Sequence, residues 1–192
     1  MLQVVQSKTN LEWEETMSDI AREVKDALRQ LIGLKLSIAR NAGNMKVFHF
    51  GSLRREEPRR LVGEYALHIS CPWRLEQNGR IITGWSDYFT RADDNDDEDW
   101  EIGCTTGHLQ NQILAALLRG FDSQTRSYVN ETEEFVVENV GSDQFGGLQI
   151  GMTGSYRLVI LIAGSKDEYW RLLRPSSKEP QFVVSGDGIE RE

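Results

Sequence analysis

The sequence predicts an α+β fold: a mainly antiparallel β-sheet packed against a long N-terminal amphipathic helix, with a second short helix. Three observations carry that prediction. Apolar residues recur at helical spacing near the N-terminus, they alternate at strand spacing through most of the remaining chain, and the strand–helix–strand rhythm of a parallel sheet is missing. The 192 residues fit a single domain. Its expected layout is a helix over about 11–32, a β-rich stretch over 34–90, an acidic loop over 92–101, a short helix over about 107–119, a second β-rich stretch over 134–186 and a mobile tail over 187–192.

The N-terminal helix is drawn by Trp13, Met17, Ile20, Val24, Leu28 and Leu31, which form one apolar stripe at steps of three and four. Thr9 and Glu12 have the spacing of a capping box, and Gly33 supplies the stop. The stripe predicts packing on the protein's own sheet; the competing reading is a partner or homodimer face. Period two begins after Gly33, in Leu34–Arg40 and Met45–Gly51, around a turn at Asn41–Asn44. Ser52–Arg60 reads as a polar loop. Tyr65–Cys71 is a strand that Pro72 ends, and Trp73–Gln77 faces Arg80–Trp85 across Asn78-Gly79, the strongest short hairpin signal. In the short helix Thr105 or Thr106 is the cap, Leu109, Ile113, Ala116 and Leu117 face inward, and Gly120 is the stop. Five short runs between Glu134 and Gly186, bounded by Gly, Ser, Asp and Pro, complete the β pattern.

Composition narrows the function classes. The longest apolar run, Leu158–Ala163, falls far short of the roughly 20 residues of a membrane helix. The N-terminus lacks a basic, then apolar, leader pattern, and two cysteines suit a reducing compartment, so a cytoplasmic protein is expected. The net charge of −8 arises in one place: residues 92–145 carry two basic and thirteen acidic side chains. Such a field repels phosphate backbones and attracts a basic protein partner or a cation, which argues against nucleic-acid binding.

The sharpest chemical motif pairs His68-x-x-Cys71 with Cys104-x-x-x-His108, a thiolate and imidazole set suited to zinc. Strand geometry opposes it, because residues three apart point to opposite faces unless the chain bends at Cys71-Pro72. Alternation puts Tyr65, Leu67, Ile69 and Cys71 on the core side and His68 on the other. Cys104 with His108 also suggests a nucleophile near a helix start, but the adjacent carboxylates oppose thiolate formation. The acidic run Asp93, Asp94, Asp96, Asp97, Glu98 and Asp99 mimics a calcium loop at its first positions. It then places Glu98 where glycine is required and Cys104 where glutamate is required, so a solvated acidic loop is the simpler reading, with weak divalent-ion binding or binding of a basic partner as the alternative. Arg54, Arg55, Arg59 and Arg60 form a second cluster suited to phosphate or carboxylate, tempered by Glu56 and Glu57. Trp73, Trp85, Tyr88, Phe89 and Trp100 either line a ligand groove or fill the core beside the hairpin.

The segments LIGLKLSIARNAGNMKVFHFG, VGEYALHISCPWRL with RIITG, and YWRLLRPSSKEPQFVV resemble, in the same order, a family of small uncharacterised bacterial cytoplasmic proteins. The resemblance covers about half of the chain and implies a single-domain bacterial protein. It brings no activity, cofactor or catalytic residue, and the acidic run departs from its pattern. Together these features predict a non-enzymatic protein-interaction or regulatory module, immunity- or antitoxin-like, that uses its acidic surface; the alternative is a metal-binding protein or metalloenzyme with the Cys/His site.

Overall fold

A computed structural model of the protein describes residues 19–92 and 107–192. Its elements follow in chain order. Helix α1 (Asp19–Leu28) tightens into a 3-10 turn at Arg29–Leu31. Strands β1 (Leu36–Ala42), β2 (Met45–Phe50), β3 (Arg54–Glu57), β4 (Arg60–Val62), β5 (Tyr65–Ile69), β6 (Trp73–Gln77) and β7 (Arg80–Gly84) come next, before helix α2 (Leu109–Leu118). Strands β8 (Arg119–Asp122), β9 (Ser127–Asn130), β10 (Val137–Ser142), β11 (Leu148–Met152), β12 (Tyr156–Ile160), β13 (Glu168–Leu173), β14 (Phe182–Ser185) and β15 (Gly188–Arg191) complete the chain.

The strands form two antiparallel sheets and a separate hairpin. One sheet runs β15–β14–β13–β5–β2–β1–β9–β8, the other β10–β11–β12–β6–β7, and β3–β4 stands apart. The two sheets share one apolar core. Phe48, Leu67 and Trp170 of the first pack in the same cluster as Trp73, Ile150 and Leu158 of the second. At their junction Phe48 meets Trp73 edge to face, with ring centroids 5.4 Å apart. The chain passes from the first sheet to the second at Ser70–Pro72, where Ser70 N–H donates to Tyr169 O (2.8 Å) and Leu161 N–H to Pro72 O (2.9 Å).

This α+β, mainly antiparallel architecture agrees with the sequence, with corrections in its parts. The second sheet, rather than the N-terminal helix, is the main cover of the first. The period-two runs of the last third pair among themselves and with β6, so they close a sheet of their own. The described helix is ten residues, thirteen with its 3-10 turn, and it lies along β10 with Val24, Leu28 and Leu31 in the core. The expected start with Trp13, Met17 and the Thr9–Glu12 cap lies outside the described residues. No helix among them is long and apolar enough to cross a membrane.

Three segments read as irregular are strands. Ser52–Arg60 contributes to the β3–β4 hairpin, Gly120 sits inside β8 rather than stopping a helix, and the 187–192 tail pairs with β14 as β15. Helix α2 ends instead on Arg119, which takes the left-handed conformation (φ 69°). Its buried side chains are Gln110, Asn111, Leu114 and Leu118, while Ala116 is exposed. The inward face is therefore rotated from the apolar stripe expected, because polar residues in its first turn find buried partners. The hairpin at Asn78-Gly79 forms as expected, with both residues at positive φ (50° and 76°), as a two-residue primed turn requires.

Candidate functional site

Strand β2 is central and covered on both faces. Lys46, Phe48 and Phe50 point to the shared core, and Val47 and His49 point to the opposite face of the sheet. That opposite face is roofed by the β3–β4 hairpin and by the chain after β13. Arg54 donates to Pro175 O (2.6 Å), and Ser176 Oγ donates to Glu56 (2.6 Å), tying the two parts of the roof together. Between sheet and roof lies a cavity of about 270 Å³. Arg40 (β1), His49 (β2), Arg60 (β4), His68 (β5) and Arg174 line it, with Val62, Leu173 and Pro175 as its apolar part and Ser176, Ser177, Glu179 and Gln181 as further polar lining.

The cavity presents donors. His49 is 1 % exposed, and its Nδ1 accepts the N–H of Gly63 at 3.2 Å. A ring that accepts at Nδ1 carries its proton on Nε2 when neutral. That Nε2 is buried with no partner. Burial first, then the charges of Arg40 and His68, hold the ring's pKa down to about 3, so it is neutral at pH 7. Arg40 is half-buried, and among the described residues it has neither a hydrogen-bond acceptor nor an ion-pair partner. Burial and the charge of Arg60 lower its pKa from the ordinary arginine value. Arg60 itself pairs with Glu56 (3.0 Å), and Arg174 with Glu179 (3.1 Å). His68 is half-buried, its pKa lowered by burial, Arg40 and Arg171, with Glu168 opposing.

The residues singled out by sequence fall apart. His68 faces this cavity, whereas Cys71 is 5 % exposed in the core on the other side, with burial pushing its thiol up to about 12. His108 is buried at the start of α2, stacked on Tyr88 with centroids 4.6 Å apart. Cys104 lies outside the described residues, as do Asp93, Asp94, Asp96, Asp97, Glu98 and Asp99. Among the described residues no three His, Cys, Asp or Glu side chains gather as a metal site. Of the four clustered arginines only Arg60 reaches the cavity. Arg54 is engaged by Glu56 and Pro175 O, and Arg55 by Asp122, Gln124 and Pro58 O.

Four of the five aromatic residues do come together, around Lys46; Trp100 is not among the described residues. Trp73, Trp85, Tyr88 and Phe89 border a void of about 10 Å³, room for one water molecule. Lys46 is 2 % exposed, donates to Asn41 Oδ1 (3.0 Å) and Gln110 Oε1 (2.9 Å), and lies 5.5 Å from the Trp73 ring. Gln110 in turn donates to Gly84 O (2.9 Å). This is a packed polar centre, not a groove.

Arg40 and His49 are the functional candidates that sequence reasoning passed over. Cross-strand register puts His49 on the face of His68, but Arg40 reaches that face only because a bulge between Leu36 and Ile38 reverses the alternation of β1; strict period two would have grouped Arg40 with Leu36, so the sequence carried no signal for it. Compared with family models, curated proteins and solved structures, the chain matches none.

Proposed function

We propose that this protein is a binding module for a small oxyanion, held in the cavity between the first sheet and the β3–β4 roof. One observation carries the reading: Arg40 and His49 both line the cavity, and neither the half-buried Arg40 guanidinium nor the buried His49 Nε2–H has an acceptor among the described residues. Leaving such groups unmet costs about 1–3 kcal/mol each, more for a charge, so folding alone gives no reason to keep them. A carboxylate or phosphate oxygen would satisfy both, and a guanidinium fork matches either group.

NMR of the histidine rings tests this directly. Titration with acetate and with inorganic phosphate at pH 7 is expected to shift the His49 ring signals saturably with at least one anion. Arg40→Met should weaken that response by about tenfold or more, as loss of a charge-assisted pair would. Anions that leave the His49 signals unmoved, or that act equally on Arg40→Met, would refute the oxyanion reading.

A further inference from the structure

A second recess shares no lining residue with the first cavity. It lies where the start of α1, the β10–β11 turn, the chain after β12 and strands β13 and β14 come together. Its volume is about 240 Å³, and its lining is mostly apolar, with Ile20, Phe145, Ile162 and Val184 supplying the large side chains. Gln144, Ser165 and Ser185 add neutral polar groups, and glycines fill much of the rest. None of the described residues that line it is charged. Phe145 is exposed, so one apolar wall remains wet until something covers it.

One buried polar atom here lacks its partner. Tyr169 lines the recess and is 6 % exposed, and its hydroxyl is buried with no hydrogen-bond partner among the described residues. A buried tyrosine ordinarily finds a partner for its O–H, because the phenol loses water on burial and recovers nothing without one. The hydroxyl end of the ring lies against another lining residue: a Cβ added to Gly164 would rest 3.6 Å from Tyr169 Oη. With no carboxylate, ammonium or guanidinium in the lining, a charged ligand would find no counterion there. A closed apolar cavity of about 150 Å³ admits benzene, so this recess has room for one ring with a small polar substituent. We infer that the recess is a second binding site, for an uncharged ligand with a compact apolar body and one hydrogen-bonding group, its body against Ile20, Ile162 and Val184 and its polar group on the Tyr169 hydroxyl. This stands independently of the oxyanion reading.

Methyl NMR of the full chain with labelled isoleucine tests it, with benzyl alcohol, toluene and benzylamine as probes at pH 7. Benzyl alcohol and toluene should shift the Ile20 and Ile162 methyl signals saturably and leave the His49 ring signals unmoved. Benzylamine, a cation at that pH, should bind about tenfold or more weaker than benzyl alcohol. Tyr169→Phe removes the hydroxyl and keeps the ring. It should weaken benzyl alcohol relative to toluene by about threefold or more, the share of one neutral hydrogen bond. Without ligand this variant should unfold at a temperature no lower than the wild type, because the hydroxyl has no partner to lose; that separates lost binding from lost folding. Phe145→Ala, which trims an exposed wall, should weaken both probes and leave their ratio as it is. Isoleucine signals unmoved by benzyl alcohol and toluene alike would overturn the site. Benzylamine binding as tightly as benzyl alcohol would overturn the uncharged class, and an unchanged ratio in Tyr169→Phe would remove the hydroxyl's role.

Discussion

Lys46 carries an amine on the core side of β2, between Asn41 of β1, Gln110 of α2 and the ring of Trp73, with no carboxylate beside it among the described residues. Burial holds its pKa at about 7, below the ordinary lysine value of 10.5. The sign of the consequence follows from proton binding. Between about pH 7 and 10.5 the unfolded chain binds a proton at Lys46 that the folded chain has released, so this residue makes stability rise with pH across that window. Below pH 7 both states are charged and the full burial penalty stands. Lys46→Met keeps the volume but removes the titration, while leaving two amide oxygens without their donor. The expected outcome is read from urea unfolding between pH 7 and 9: the wild type gains stability relative to Lys46→Met as pH rises. Parallel profiles would show that the ammonium is already compensated by its amide and aromatic neighbours.

Elements differ in how their glycines are used, and two substitutions separate the cases. Gly79 holds φ at +76° with open space around its missing Cβ. Gly79→Ala should therefore cost only the left-handed penalty, about 1–2 kcal/mol by urea denaturation, and leave anion binding unchanged because β6–β7 belongs to the other sheet. Gly63 is different: an added Cβ would fall 2.6 Å from Phe50 O and 3.1 Å from His49 Cβ. Neither the backbone oxygen nor the buried ring has room to retreat. Gly63→Ala should lift the roof, break the Gly63–His49 bond, cost more than Gly79→Ala and weaken anion binding. The same contrast explains which hairpins were readable in advance. Asn78-Gly79 announces itself by turn chemistry contained in two residues. The β8–β9 turn has no glycine and is held by Asp122, whose Oδ1 accepts from Thr125 N–H (2.8 Å) and Thr125 Oγ (2.9 Å). The β3–β4 hairpin is held largely by side chains, including Arg55 to Pro58 O (2.8 Å) and Arg60 to Glu56 (3.0 Å). Likewise the strand period was enough to turn His68 away from Cys71. It says nothing of a roof over the second face, which is what converts Arg40 and His49 from surface residues into a site. Gln110 and Asn111 misled the helix assignment because their partners, Lys46 and Asn41, lie on another element.

The molecule as a whole rests on one contiguous core that spans both sheets and takes in α1 and α2. The main apolar layer of each sheet lies in this core, while Ile38, Val47 and Ala66 of the first sheet are buried outside it. Phe48, 3 % exposed on central β2, stands at the junction through its edge-to-face contact with Trp73 of the second sheet. If the sheets were separate folding units, loosening their junction would let one unfold before the other. A shared core predicts the opposite, since the core-facing residues of one sheet lose their partners when the other departs. Phe48→Ala should therefore cost about 3–5 kcal/mol, the usual range for deleting a buried aromatic side chain. The loss should shift a single transition to lower urea, with far-UV dichroism and tryptophan fluorescence following one curve. Because Trp170 lies in the first sheet and Trp73 in the second, their joint fluorescence reports on both. Two separated transitions would mean that the sheets hold together independently and that Phe48 is only a local contact. A single displaced transition ties the cavity to the whole fold, because the strands that carry Arg40, His49 and His68 on one face bury Ala39, Phe48 and Leu67 in that same core on the other.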